Sequence, residues 1–115
     1  MSTTVKKSIT FSSPPQSTYA AAVSCIKAMK GKVQVDKPDA MHLEAKMDKK
    51  LNGVVLGDYS LLEIDFSSES DESTTVSITG YPVNVMGQPM KFGARPGVVA
   101  KVITALQAEM EKALA

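Results

Sequence analysis

Lys91 and Arg95 stand in the stretch Gly-Gln-Pro-Met-Lys-Phe-Gly-Ala-Arg-Pro-Gly (87–97), directly before the last helical pattern of the chain. A helix N-terminus carries partial positive charge, so cations are disfavoured there unless something negative meets them. The chemistry these residues offer is anion binding. Unpaired N–H groups at a helix start attract phosphate or carboxylate, and a lysine and an arginine add charge. The stretch is rich in glycine and proline and joins a strand to a helix, a kind of connection that carries function or a special conformation. Met86 and Met90 belong to no periodic stripe, which suits a pocket mouth or an interface. Met86, Met90, Lys91, Arg95 and Gly97 therefore form the candidate ligand-binding set. Neither a Gly-x-x-x-x-Gly-Lys-Ser/Thr nor a Gly-x-Gly-x-x-Gly spacing is present. The competing assignment, and the preferred one, pairs the two cations with the acidic stretch Glu69-Ser70-Asp71-Glu72 of the same chain.

The other reactive types read as structural. His42 is the only histidine; it takes the parity opposite Met41, Leu43 and Met47, on the less buried face, with no nucleophile placed beside it. Cys25, the only cysteine, lies beside the apolar stripe of the first helix, far from the N-terminal position that would activate a thiol. One Cys and one His do not make a structural zinc set. Glu63, Asp65, Glu69, Asp71 and Glu72 lack the loop glycine and closing glutamate of a calcium hand, so a solvated loop is expected. No catalytic residue, metal or cofactor is assigned.

The 115 residues fit one domain (1–115), and 43% hydrophobic with 22% charged content suits a globular protein. With a net charge of +1 and few aromatics, no global field argues for nucleic acid or an anionic membrane. The N-terminal residues are polar, with no apolar run after the lysines, so no secretory signal is read there. The expected location is the cytoplasm, although a trimmed exported chain would look the same.

The elements that must position these residues follow from periodicity. Val5, Ile9 and Phe11 share one parity, as a half-buried strand does. Serines and prolines at 12–15 open a helix expected from about Pro15 to Lys30, with Tyr19, Ala22, Val23, Ile26 and Met29 facing the core and Gly31 as its stop. Strands follow at Val33–Val35 and Met41–Met47, then an Asn52-Gly53 turn. Residues 54–66 read as one long strand bent at Gly57-Asp58. Residues 74–85 form another strand, with a bulge expected at Gly80-Tyr81-Pro82 where the apolar parity shifts. The last helix is expected from Pro96, with Val99, Val102, Ile103, Leu106, Met110, Ala113 and Leu114 as its stripe. The order β-α-β-β-β-β-α with short connections predicts an α+β fold: an antiparallel sheet with two helices packed on one face.

This whole pattern resembles small helix-grip-like domains found in bacterial lipoproteins and other bacterial proteins. The resemblance rests on the early helix ending at Gly31, the strands KVQVD and MHLEAKM as a hairpin, two longer strands, and the closing helix RPGVVAKVITALQAEMEKAL. It implies a non-enzymatic module that binds a small ligand or a protein partner, and it carries over no catalytic residues. Unlike the lipoproteins, this chain has no lipidation cysteine near its start. Self-association through a sheet edge or face is one form of that reading. The alternative is an anion- or phosphate-binding sensor or enzyme built on the loop before the last helix.

Overall fold

Alternating apolar and polar residues place β1 at Val5–Phe11, and Ser13-Pro14 turns the chain into helix α1, Pro15–Ala28. This computed structural model describes residues 4–90 and 92–115. Lys91, one of the candidate cations, lies outside the described residues. Helix α1 starts without a side-chain cap; Pro15 sits in the first turn, where its missing N–H costs nothing. Tyr19, Ala22, Cys25 and Ile26 are buried, so Cys25 packs as expected.

The end of α1 differs from expectation. The Lys30 N–H donates to the Lys27 carbonyl (3.0 Å) and the Gly31 N–H to that of Ile26 (2.8 Å). This is a Schellman closure in which Lys30, at φ 67°, takes the left-handed position usually given to glycine. Gly31 is required for a different reason. A Cβ there would meet the Met47 sulfur at 2.7 Å and the Ile26 side chain at 2.8 Å.

Strands β2 (Lys32–Lys37) and β3 (His42–Met47) pair antiparallel around a short 3-10 turn, Pro38–Ala40. Strands β4 (Lys50–Leu51) and β5 (Val54–Val55) form a hairpin of their own. Asn52 and Gly53 turn it with positive φ at both positions, the geometry that matches strand twist. Strand β6 (Tyr59–Ser70) therefore starts afresh after Gly57, at φ 96°. The single bent strand expected over 54–66 is two separate elements. Strand β7 (Ser73–Val83) pairs with β6 in unbroken register from Tyr59↔Val83 to Ser68↔Thr74. No bulge interrupts Gly80-Tyr81-Pro82. Instead Val76, Ile78 and Gly80 stay inward, and Tyr81 faces out beside Leu61. Pro82 is tolerated because the pairing of β1 with β7 ends at Val5↔Gly80; beyond it the loop meets this edge through the Met90 N–H, which needs only the Pro82 carbonyl. The strands also run on to Ser70 and Ser73, so the acidic stretch is a tight hairpin turn and not a long loop.

The sheet order is β1-β7-β6-β3-β2, all antiparallel. Helix α2, Val98–Leu114, begins after Gly97 (φ 79°), two residues later than Pro96 suggested. Both helices pack on one sheet face. Val99, Val102, Ile103, Leu106 and Met110 of α2 join Leu43, Leu62, Ile64, Val76 and Ile78 in one core.

Candidate functional site

The loop 84–97 is built rather than loose. Asn84 organises it: its side-chain oxygen accepts N–H groups from Met86 (2.9 Å) and Gln88 (3.0 Å), and its own N–H donates to the Gln88 carbonyl (2.9 Å). The Met90 N–H returns to the Pro82 carbonyl at 3.0 Å. Met86 is left outside, 80% exposed, while Met90 is half-buried and Gly97 serves as the residue before α2.

Arg95 has found its acid, but not the expected one. Its backbone N–H donates to Asp58 Oδ2 at 2.6 Å, and its guanidinium stands 3.7 Å from Asp58 Oδ1. The guanidinium lies against Gly57, where any Cβ would collide with it. Asp58 is buried. Glu69, Asp71 and Glu72 sit at the opposite end of β6, whose 12 residues span roughly 36–40 Å. The pairing of Arg95 with the acidic stretch is thereby corrected. Nothing in the sequence singles out Asp58, which reads as a turn residue far away along the chain.

A second group of charges assembles where the sequence has no local pattern. A cleft of about 320 Å³ is lined by Lys30, Lys32, Lys46, Asp48, Tyr59 and Val85. Lys32 and Lys46 are direct partners across β2 and β3. Like charges placed opposite one another destabilise a strand pair. The ammonium of Lys46 lies 4.5 Å from the centre of the Tyr59 ring and donates to the Val85 carbonyl at 2.6 Å. Lys30 projects from a left-handed residue, a conformation that costs energy outside glycine. Asp48, the one acid of the lining, already accepts the Lys49 N–H at 2.8 Å. Among the described residues, none of these lysines takes part in an ion pair. Of the candidate loop, Val85 reaches this cleft, beside the exposed Met86. The sequence signal was the run Lys27, Lys30, Lys32, which also reads as plain compensation of the α1 dipole.

On the same outer sheet face His42 bridges two carboxylates. Nδ1 is 2.7 Å from Asp65 and Nε2 is 2.6 Å from Glu44. Only an imidazolium donates from both nitrogens. The hydrogen bond to Glu44, then that to Asp65, raises the His42 pKa above its ordinary 6.5. Because the folded value is the higher one, this bridge stabilises the fold fully below about pH 6.5. Its contribution is lost as pH rises through the raised folded value. The expected result is a Tm that falls across that interval by the equivalent of about 1 kcal/mol or less, since the group is partly exposed. His42→Gln removes the fall. A wild-type-minus-variant difference that stays flat with pH would contradict the bridge. The cluster holds the sheet together and contains no nucleophile.

No family model matches the chain, and no curated protein matches it. Solved structures do. The di-domain ARO/CYC protein StfQ of the steffimycin biosynthetic pathway superposes at TM-score 0.66 with 10% identity, over 96% of this chain and 44% of that one. This chain thus spans less than half of that protein. Ara h 8.0201 superposes at TM-score 0.65 with 9% identity, over 96% and 97% of the two chains. An HSP90 activator from Plasmodium falciparum gives TM-score 0.51 and 16% identity over 89% and 85%. At such identities the likeness speaks for architecture alone, and with the five-stranded antiparallel sheet gripping two helices it establishes a helix-grip fold.

Proposed function

We propose that this protein is a binding module whose ligand carries an anionic group, phosphate or carboxylate, received at the cleft of Lys30, Lys32 and Lys46. The observation that carries this reading is the convergence of the three lysines on one cleft, two of them direct cross-strand partners. Such an arrangement costs stability when empty and is relieved by a negative charge. Tyr59 offers a ring face beside the anion site, and Val85 with Met86 supplies an apolar rim, which keeps part of the loop 84–97 in the site. Arg95 is engaged with Asp58 and serves as an anchor of the loop. The helix-grip neighbours include a protein of the steffimycin biosynthetic pathway and an HSP90 activator, so proteins of different roles share this fold.

The test is thermal unfolding with inorganic phosphate, pyrophosphate and small carboxylates. A ligand that binds only the native state raises stability by about 2.7 kcal/mol at one hundred times its Kd. Lys32→Gln and Lys30→Gly are the informative variants. The second removes a charge while relieving the left-handed backbone, so it keeps or gains stability without ligand. A rise in Tm that both variants abolish supports the reading. An equal rise in wild type and variants would refute it.

A further inference from the structure

The net charge of +1 hides an uneven distribution of charge along the sheet. Strand register puts Lys32 and Lys46 at the end where β6 begins and β7 stops, with Lys30, Lys49 and Lys50 beyond them. Asp36 and Asp65 lie toward the other end, and Glu69, Asp71 and Glu72 at its tip; Lys37, paired with His42, shares that end, and Asp48 is the one acid lining the clefts of the basic end. The large apolar side chains left exposed among the described residues all belong to the loops of the basic end. They are Val54 and Val55 on the β4–β5 hairpin, and Val85, Met86 and Phe92 on the loop 84–97, with Phe92 89% exposed. They adjoin the lysines: Val85 lines the cleft of Lys30, Lys32 and Lys46. A neighbouring hollow runs from Met29 and Lys30 to Lys50, Asn52 and Gly53, next to Val54.

Exposed apolar residues on separate loop tips, interspersed with lysines, have the composition of an interfacial membrane contact. A soluble acidic protein would match the charge but leaves the projecting Met86 and Phe92 without a partner of matching shape. An anionic bilayer matches both, because apolar tips enter below the headgroups while lysines meet the phosphates. We propose that this end of the fold docks peripherally on an anionic lipid surface, with Met86, Phe92, Val54 and Val55 entering the interface and Lys30, Lys32, Lys46 and Lys50 holding headgroups. The proposal rests on the anion-binding reading of the cleft and names the carrier of the anion. Among the described residues no helix is long and apolar enough to cross a membrane, so the contact is with the surface. A near-neutral composition carries no hint of a membrane; only the register separates the charges.

The experiment is co-sedimentation of the full chain with phosphatidylcholine vesicles and with mixed phosphatidylcholine–phosphatidylserine vesicles. Soluble O-phosphoserine is titrated in parallel by thermal shift. The expected result is pelleting with the mixed vesicles alone, largely reversed in about 0.5 M salt. Val54→Ser with Phe92→Ser should weaken partitioning about tenfold while leaving the soluble phosphoserine shift intact, and Lys32→Gln with Lys50→Gln should weaken the pelleting likewise. Because these positions are exposed, the variants fold, and the Tm verifies it. A phosphoserine shift without pelleting overturns the membrane proposal and leaves the cleft reading standing. Neither signal overturns both. Binding to soluble polyglutamate without pelleting assigns the surface to an acidic polypeptide and overturns the proposal.

Discussion

Gly80→Val is expected to lower the Tm by roughly 10 °C or more. Gly80 stands on the inward face of β7 where α2 crosses it. A Cβ there would lie 2.7 Å from Val99 Cγ1, 2.8 Å from Leu62 Cδ2 and 3.1 Å from Ile103 Cδ1. These three neighbours are themselves buried, so none can swing into solvent. Alanine already forces Val99 and Leu62 to shift; valine adds two methyl groups to the same space. Overpacking of this kind costs about 1–3 kcal/mol, and a site closed on three sides belongs at the upper end. At about 4 °C per kcal/mol for a chain of this size, the fall is large. Thr79→Val, one residue away on the half-exposed face, is the control and should change little. Thermal unfolding followed by circular dichroism measures both. A Gly80→Val protein within a degree of wild type would mean that α2 does not approach the sheet as closely as described.

Asp58→Ala is expected to cost about 1.5–3 kcal/mol, the range for a hydrogen bond to a charged group, and to free the loop 84–97. Two interactions compete for the credit. The guanidinium of Arg95 is 63% exposed and 3.7 Å from the carboxylate, so it contributes about 0–1 kcal/mol. The backbone N–H of Arg95 is 2.6 Å from the buried carboxylate and accounts for most of the effect. Arg95→Ala should therefore cost far less than Asp58→Ala, and Asp58→Asn, which keeps an acceptor, should recover part of the loss. Amide hydrogen exchange gives a direct reading: protection of the Arg95 N–H should vanish in Asp58→Ala and persist in Arg95→Ala. If Arg95→Ala proves the more damaging, the ion pair and not the backbone anchor holds the loop.

Long, strongly periodic segments are legible in the sequence. The α2 stripe from Val99 to Met110 and the alternation of Met41–Met47 each fill several turns or pleats with one consistent period, so local pattern and global packing agree. Pattern misleads where it is short. Val54 and Val55 resemble strand core but are exposed, because a positive φ at Gly57 detaches them from β6. The parity shift after Gly80 resembles a bulge. In fact the register holds and Tyr81 covers Leu61 on the outer face, where its hydroxyl is raised in pKa first by burial and then by Glu63.

Periodicity along the longer segments was enough for the α+β class, both helices, the chain order of the main strands and the buried role of Cys25. Which side chains meet was settled by the folded chain. Arg95 finds Asp58, 37 residues away, and not the acidic hairpin. Lys32 finds Lys46 across a strand pair, and a near-neutral composition separates into a basic, apolar-tipped end and an acidic one. The physical reason is range. Amphipathic period is written between neighbours in the chain, whereas charge acts between neighbours in space, and strand register together with the path of the loops determines which charged groups those are.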